Sequence, residues 1–552
     1  MKRPLVLSLV LACASPRLHP SANPLAAPAP PPAVPVDPGP TPATAIPIPT
    51  PIPTRPGRPA PITTAGNAAS LASIRSEFFL GTGDLPPAPA LRPQVFPERY
   101  TEVDGVLTFR GGPTRSGGAT GTRHLAERRL EVAWRFKTSA GGPHWGGGAG
   151  WTGEPVVVRW PDVVRHSMPA LGTRRADGNL VEVIQGSLDG NVYFLDLRTG
   201  KPTRPPIRTG NPIKGSVSLD ARGWPLLFVG QGIPAARPIG LRVYSLVSGE
   251  EVFFLAGRDP AARRHWGAFD SSGLLNRETD TYLVGGENGI VYLLELHTDF
   301  DPIALSIKVA PRVVRYRFRD PRTVREGIES SLAVYRNLVF LADNSGTIQA
   351  LDLATFRPAW VFEAGDDTDA SLVLDEEPGG PVLYTASEVD EQGETGFARL
   401  RKLDALTGAV RWEKDVACRA DHTSAHPTDA GVFATPVVGR DDLADRVVFT
   451  LSRCPERGTV LALAKADGRE LWRRGLRTDA WSSPTAVRDR ETGKTWLLQA
   501  DRSGRLLLLD AADGAVAFTL PLDGTVEASP AVYDDIAVVG TRAGTIYGVR
   551  LR

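Results

Sequence analysis

The chain has 552 residues, which is long for a single hydrophobic core. Its 63 basic and 62 acidic residues nearly cancel and are interspersed, so the sequence carries no electrostatic footprint for nucleic acid or for an anionic membrane surface. It contains 3 cysteines and no Cys-x-x-Cys-His, Gly-x-Ser-x-Gly, His-Glu-x-x-His or Gly-x-x-x-x-Gly-Lys-Ser/Thr signature.

Residues 1–13 begin with Lys2 and Arg3 and continue as a short apolar run, Leu5 to Ala12. The run is far too short to span a bilayer and reads as an export signal. Val10-Leu11-Ala12-Cys13 resembles a bacterial lipobox, which makes Cys13 the site of a lipid anchor. Ordinary signal cleavage next to Ala12-Cys13-Ala14 competes with that reading, because small residues flank the position. Ala14 after the cysteine, by resemblance to enterobacterial lipoproteins, permits sorting to the outer membrane, facing the periplasm or the cell surface. A soluble periplasmic protein is the alternative. Residues 14–70 form a tether: from about Pro20 to Pro61 they are Pro, Ala and Thr with almost no large apolar side chain. Such a segment is semi-extended polyproline II and reaches roughly 130 Å at most. An inert tail would have the same composition. Residues 71–129 are transitional. Ser73–Leu80 is predicted as one short helix, and Arg92–Gly117 as a segment packed along the rim or side of the ring formed by residues 130–552.

From 130 to 552 the sequence repeats. A strand begins just after a glycine at Gly190, Gly240, Gly289, Gly346, Gly396, Gly458, Gly504 and Gly544. These copies are roughly fifty residues apart, a period typical of propellers. After most of them a turn glycine is followed four residues on by an aromatic side chain, as in Gly408 to Trp412, Gly468 to Trp472 and Gly514 to Phe518. The units open on small residues, often before proline, such as Thr435-Pro436, Ser483-Pro484 and Ser529-Pro530. The last unit (Ser529–Tyr533, Ile536–Gly540, Thr545–Leu551) lacks its fourth strand, and an orphan copy of that strand lies upstream at Leu130–Lys137. These features predict an all-β fold, an eight-bladed propeller of four-stranded antiparallel blades. The early strand completes the last blade, so that no sheet edge stays open. A two-sheet sandwich is the competing architecture.

The recurring Ser/Thr-Pro, Gly-x-Val/Ile-Tyr, Leu-Asp and Thr-Gly-x-x-x-Trp resemble the quinoprotein-like propeller repeats, over about Phe109 to Arg552. Phe109-Arg-Gly-Gly-Pro-Thr-Arg-Ser-Gly117 looks like the lead-in segment of that superfamily. The resemblance implies two kinds of function. One is that of pyrroloquinoline-quinone dehydrogenases, the other that of BamB-type lipoproteins, non-catalytic scaffolds of the outer-membrane barrel-assembly machine. The dehydrogenases, by resemblance, carry an adjacent Cys-Cys pair, which this sequence lacks.

Cys418 is expected in the loop entering the sixth blade and Cys454 between that blade's second and third strands. Both loops emerge on one face, which predicts a disulfide in an exported protein. Two free thiols, or a metal held with His422 and His426, are the alternatives; the spacing matches no common zinc motif. The leading loops of all blades gather at one end of the channel, where a binding mouth is expected from His144, Trp145, Trp151, His265, Trp266, Glu329, His422, His426, Asp479, Trp481 and Glu527. Tryptophans that merely plug the channel and histidines that cap loops would give the same list. The sequence therefore predicts an exported, lipid-anchored, monomeric propeller without catalytic residues, metal or cofactor. It would bind an envelope protein such as the barrel-assembly machinery, touch the membrane only through the anchor, and leave nucleic acid alone. A periplasmic quinone- or metal-dependent oxidoreductase is the runner-up, and a surface carbohydrate-binding or adhesion module a third reading.

Overall fold

Each glycine-led strand of the repeat is the third strand of an antiparallel sheet. These strands are Asn191–Asp196, Gly240–Ser245, Ile290–Glu295, Thr347–Asp352, Thr395–Asp404, Thr459–Ala464, Arg505–Asp510 and Thr545–Leu551, and they define blades one to eight of an eight-bladed β-propeller. The computed structural model describes residues 75–80, 83–84, 94–141, 147–319, 325–421, 428–455 and 457–552. Packing divides the chain into Met1–Pro53 and Thr54–Arg552, and all described residues belong to the second unit. Cys13 and the proline-rich stretch therefore lie outside the described residues.

Inner and outer strands differ as their burial requires. Ile290–Glu295 is buried throughout and reads Ile-Val-Tyr-Leu-Leu-Glu, whereas the outer strand Val516–Pro521 has no fully buried residue and alternates. Blade eight takes its outer strand from Leu130–Lys137, antiparallel to the end of the chain, with Leu551 opposite Leu130 and Thr545 opposite Lys137.

The Gly and Trp of the repeat form the joints between blades. Trp134, Trp360, Trp412 and Trp472 lie on outer strands, and each donates its indole N–H to a carbonyl of the next blade: Leu197, Ala405, Lys465 and Ala511, at 2.7 to 3.1 Å. Each ring covers a turn glycine of that next blade. A Cβ at Gly200, Gly408, Gly468 or Gly514 would stand 2.5 to 2.9 Å from the indole, and all four have φ near +70°. Only glycine satisfies both demands. By area, burying one indole is worth roughly 5 kcal/mol. Blade one lacks the aromatic, and Arg204 takes its place. Its guanidinium bonds to the Leu246 carbonyl of blade two at 3.4 Å and is neutralised by buried Glu182 at 2.5 Å.

Two expectations about the transitional segment are corrected. Arg75–Leu80 is a strand, not a helix. It pairs antiparallel with Arg312–Arg319, the outer strand of blade three, from Arg75 opposite Arg319 to Leu80 opposite Val314. An available sheet edge outweighs a weak local preference for helix. Nor does Arg92–Gly117 simply follow the rim. Residues 105–120 cross the end of the channel where first strands turn into second strands, and they bond to the first strand or its flank in every blade. Gly105 and Val106 pair with blade one, Leu107 accepts from Leu219 of blade two, and Thr108 bonds to Ser272 before blade three's first strand. Pro113 and Thr114 accept from Val334 and Leu374 of blades four and five. Arg440 of blade six reaches Ser116, Arg110 reaches Thr485 of blade seven, and Gly118 accepts from Val532 of blade eight. At the centre Arg115 is 0 % exposed and donates to the carbonyls of Leu332, Phe109 and Ser272 and to the Thr108 hydroxyl. The lead-in segment closes one end of the channel.

Candidate functional site: the open mouth of the channel

At the opposite end, two sets of loops meet: those leading into the first strands, and the turns between second and third strands. Together they build two adjoining groups of side chains.

The first group belongs to blades six, seven, eight and one. Trp151 and Trp481 are half-buried with ring centroids 6.1 Å apart, and Phe433 lies 5.3 Å from Trp481. Arg502 sits over the Trp481 ring at 4.5 Å and Arg542 over the Trp151 ring at 4.8 Å. Both guanidiniums are held by carboxylates. Arg502 bonds Asp479 at 2.7 Å and Glu527 at 3.1 Å, and Arg542 stands 3.6 Å from Glu527. Burial lifts the Glu527 carboxyl above its usual range against the pull of Arg542 and Arg502. Burial works against the charge of Arg502, but Glu527 and Asp479 outweigh it and raise its pKa. The group is a lattice of alternating charge and aromatic faces, fixed in place.

The second group belongs to blades two to five and is acidic. Asp270, Glu287 and Glu329 bring carboxylate oxygens within 4.8 Å of one another, and so do Asp367, Asp369 and Glu388. Asn344 joins the trios, donating to Glu329 at 2.8 Å and to Asp367 at 3.1 Å. The first trio has its own cation. Lys214 forms an ion pair with Asp270, stands 3.7 Å from Glu287, and lies over the Trp151 ring at 5.6 Å, so it also links the acidic group to the aromatic one. Burial alone would strip Lys214 of its proton, but the carboxylates of Asp270, Glu287 and Glu329 outweigh it and hold its pKa well above normal. In return Lys214 and Arg264 overcome the burial of Glu329 and keep its carboxyl low, while burial and the neighbouring Glu329 push Glu287 well up. The second trio has no such cation: among the described residues no Lys or Arg pairs with Asp367, Asp369 or Glu388. Burial drives all three carboxyls well above their ordinary range, followed by the charge of Glu329 at Asp367 and Asp369 and by those of Asp369 and Asp367 at Glu388.

Of the residues expected at the mouth, the structure joins Trp151, Asp479, Trp481 and Glu527 in the first group and places Glu329 in the second. His265 is exposed and Trp266 half-buried, and among the described residues neither bonds to or stacks on a member of either group. From their stretch it is Arg264 that acts on the acidic side. His144, Trp145, His422 and His426 lie outside the described residues. Lys214, Asp270, Glu287, Asn344, Asp369, Glu388, Arg502 and Arg542 were not foreseen. Five of these (Glu287, Asn344, Glu388, Arg502 and Arg542) come from the connections between second and third strands, which open at the same end as the leading loops. The strand order of a blade was the signal that pointed to them.

Cys418 and Cys454 form a disulfide, with Cα atoms 4.0 Å apart. Cys418 is not in the loop entering blade six. It ends the outer strand of blade five, Val410–Arg419, because that strand and its partner Thr395–Asp404 run to 10 residues each. The bridge therefore bolts blade five to blade six. Beside it Arg419 donates its N–H to Arg453 at 2.9 Å, and Gly431 pairs with both Ser452 and Glu388. The backbone that carries Glu388 is thus tied to the bridged loop.

The comparisons with known proteins agree with this fold. A family model described as "Outer membrane protein assembly factor BamB" matches residues 321–453 and 456–551. No curated protein matches the sequence. Similar solved structures include a quinohemoprotein alcohol dehydrogenase from Pseudomonas putida HK5, at 13% identity and a TM-score of 0.53 over 81% of this chain and 80% of that one. BamB from Moraxella catarrhalis is 16% identical, with a TM-score of 0.49 over 76% of this chain and 100% of its own. The computationally designed Ika8 protein is also 16% identical, with a TM-score of 0.42 over 67% of this chain and 93% of that one. At 13% identity the likeness to the dehydrogenase structure is one of fold alone.

Proposed function

The chain is a β-propeller of the PQQ-like repeat family, and we propose that it works as an exported, lipid-anchored, non-catalytic scaffold that binds another protein of the bacterial envelope at its open mouth. The observation that carries this reading is the match of blades four to eight, residues 321–453 and 456–551, to the outer membrane assembly factor model. The geometry supports it in two ways. The lead-in segment closes one end of the channel, so the ring presents one elaborated face. On that face Trp151 and Trp481 are only half-buried, while ion pairs fix the arginines stacked on them. Preorganised aromatic and arginine side chains are the residue types that dominate protein interfaces, because little conformational freedom remains to be lost on binding. The first partner to seek is the barrel-assembly machinery. The attachment residue is Cys13, with the proline-rich stretch as a tether that lets the propeller work at a distance from the membrane.

Capture from detergent-solubilised envelopes tests the reading, with the tagged full-length chain and its Trp481→Ala variant as baits. The intact chain should recover barrel-assembly proteins and the variant at least about tenfold less, the loss of one hot-spot aromatic. An intact chain that recovers no envelope protein, yet turns over alcohols when supplied with pyrroloquinoline quinone, would replace the scaffold by the oxidoreductase reading. For the anchor, Cys13→Ser should move the protein from the membrane fraction to the soluble one without changing its melting temperature. Retention of the variant in salt-washed membranes would remove Cys13 as the attachment.

A further inference from the structure

We infer that Asp367, Asp369 and Glu388 of blade five hold a divalent cation with a preference for all-oxygen ligands, calcium before magnesium. The inference is independent of the scaffold function. It starts from a difference between two otherwise similar trios. The carboxylates of Asp270, Glu287 and Glu329 have Lys214 among them. Those of Asp367, Asp369 and Glu388 have no Lys or Arg paired with them among the described residues, although Asp367 is 9 % exposed and Glu388 only 4 %. Taking three carboxylates out of water without a counter-charge is the costliest arrangement a fold can build, unless protons or an ion neutralise them.

Hydrogen bonding within the trio is incomplete as well. Oδ1 of Asp367, Oδ1 of Asp369 and Oε1 of Glu388 are buried and have no hydrogen-bond partner among the described residues. Glu388 is thus a nearly wholly buried side chain with an unpartnered oxygen, in a cluster where each residue brings one oxygen within 4.8 Å of the others. A proton shared between Asp369 and Glu388, whose carboxyls face each other, is the competing way to relieve that pair. One ion relieves all three.

The spacing suits calcium. Oxygens on opposite sides of a Ca²⁺ ion, each about 2.4 Å from it, stand about 4.8 Å apart. Three oxygens inside that limit lie at most about 2.8 Å from a common centre, so small side-chain adjustments bring all three to calcium distance. Mg²⁺, with bonds of about 2.0 to 2.1 Å, needs a tighter and more regular set. Carboxylates without imidazole or thiolate favour such hard cations over zinc. A lysine from a partner fits less well, because the trio is buried and its oxygens converge on a space of ionic size.

The supports of the site are rigid. Glu388 donates its backbone N–H to the Asp367 carbonyl at 2.9 Å, so the leading loop and the connection that carry the trio are pinned together. Asn344 holds the other oxygen of Asp367 at 3.1 Å and leaves Oδ1 free to ligate.

The test uses the full chain, stripped with EDTA and transferred to chelator-free buffer. Calorimetric titration with CaCl₂ should give one site per chain, and elemental analysis after dialysis against CaCl₂ should find one bound calcium. Saturating CaCl₂ should raise the melting temperature, and MgCl₂ should do so less. Glu388→Gln, or Asp369→Asn should the first not fold, should weaken calcium binding by about tenfold or more. Asp270→Asn in the other trio should leave it unchanged. The site is overturned by the absence of heat and of any melting shift with CaCl₂, MgCl₂ and MnCl₂. It is equally overturned by calcium binding that survives Glu388→Gln unchanged, or by a lysine-rich peptide raising the melting temperature where CaCl₂ does not.

Discussion

At the closed end of the channel Arg115 is 0 % exposed, and its guanidinium is matched by the carbonyls of Leu332, Phe109 and Ser272 and the Thr108 hydroxyl. At the open end Glu388 is 4 % exposed and Glu287 2 %, and each keeps a buried carboxylate oxygen without a hydrogen-bond partner. Both ends bury charge at the same depth in the same ring. The guanidinium nitrogens of Arg115 itself all have acceptors from this chain, as expected where charge serves to hold a fold together, although neighbouring Arg110 and Glu154 each keep a buried polar atom without one among the described residues. Around Glu388 the chain withholds the partner, which is the pattern of a surface completed by something else. The contrast holds between these particular side chains, Arg115 with its acceptors supplied and Glu388 with one oxygen left over.

The largest expected effect abolishes both ends. Deleting Leu130–Lys137 removes the outer strand of blade eight and the Trp134 joint to blade one. The unpaired strand Thr545–Leu551 should then be nicked by protease within Ser529–Arg552, about four hundred residues from the deletion. A deletion variant as resistant as the intact chain would refute the closed ring.

Next comes the closed end alone. Arg115→Ala leaves three buried carbonyls without their donor and a cavity in the lead-in segment, a loss of about 4 kcal/mol in a urea denaturation. In chelator-treated, calcium-free buffer the equivalent neutralisation at the open end, Glu388→Gln, should cost nothing or stabilise, because it relieves repulsion. Equal losses from the two variants would erase the distinction between the ends.

The mouth is also held covalently. Replacing Cys418 and Cys454 together by serine opens a bridge between residues 36 apart and should cost at most about 4 kcal/mol. Reduced capture of the envelope partner should accompany it, since the bridge ties down the backbone of Glu388. Non-reducing peptide mapping of the exported protein should find the two cysteines in one linked pair, and native alkylation of both would contradict the bridge.

The smallest effect is a pH slope at the closed end. Glu154 is 2 % exposed, and burial raises its carboxyl from 4.5 to about 7 against the opposing pull of Arg110. The folded state therefore holds this proton more tightly than the unfolded one. Its contribution is complete below pH 4.5 and is lost as the pH rises through about 7, up to about 3 kcal/mol in all. Glu154→Gln keeps an acceptor for the Arg110 N–H and should flatten the fall in urea midpoint between pH 4.5 and 7. An unchanged slope would place the titration elsewhere.

Much of this molecule is written locally. The glycine-led strands, the orphan strand and the Gly-to-Trp spacing were legible because each blade is one supersecondary unit. Its turns need residues with positive φ, and its joints need a glycine under an indole, so the same few residues recur at a fixed period. Trp151, Asp479, Trp481 and Glu527 were found as site residues by the same route, from the loops that lead into the blades. What tertiary structure alone decided has no period. Arg75–Leu80 became a strand because blade three offers an edge, and Arg115 found its acceptors on residues 157 and 217 positions away. The acidic trio of blade five draws two residues from a leading loop and one from a connection between strands. Nothing in the spacing of Asp367, Asp369 and Glu388 says that their oxygens converge within 4.8 Å, or that Lys214 forms its ion pairs with the neighbouring trio. Repeats fix where the backbone goes, while the placing of charge at the mouth depends on which side chains the closed ring brings face to face.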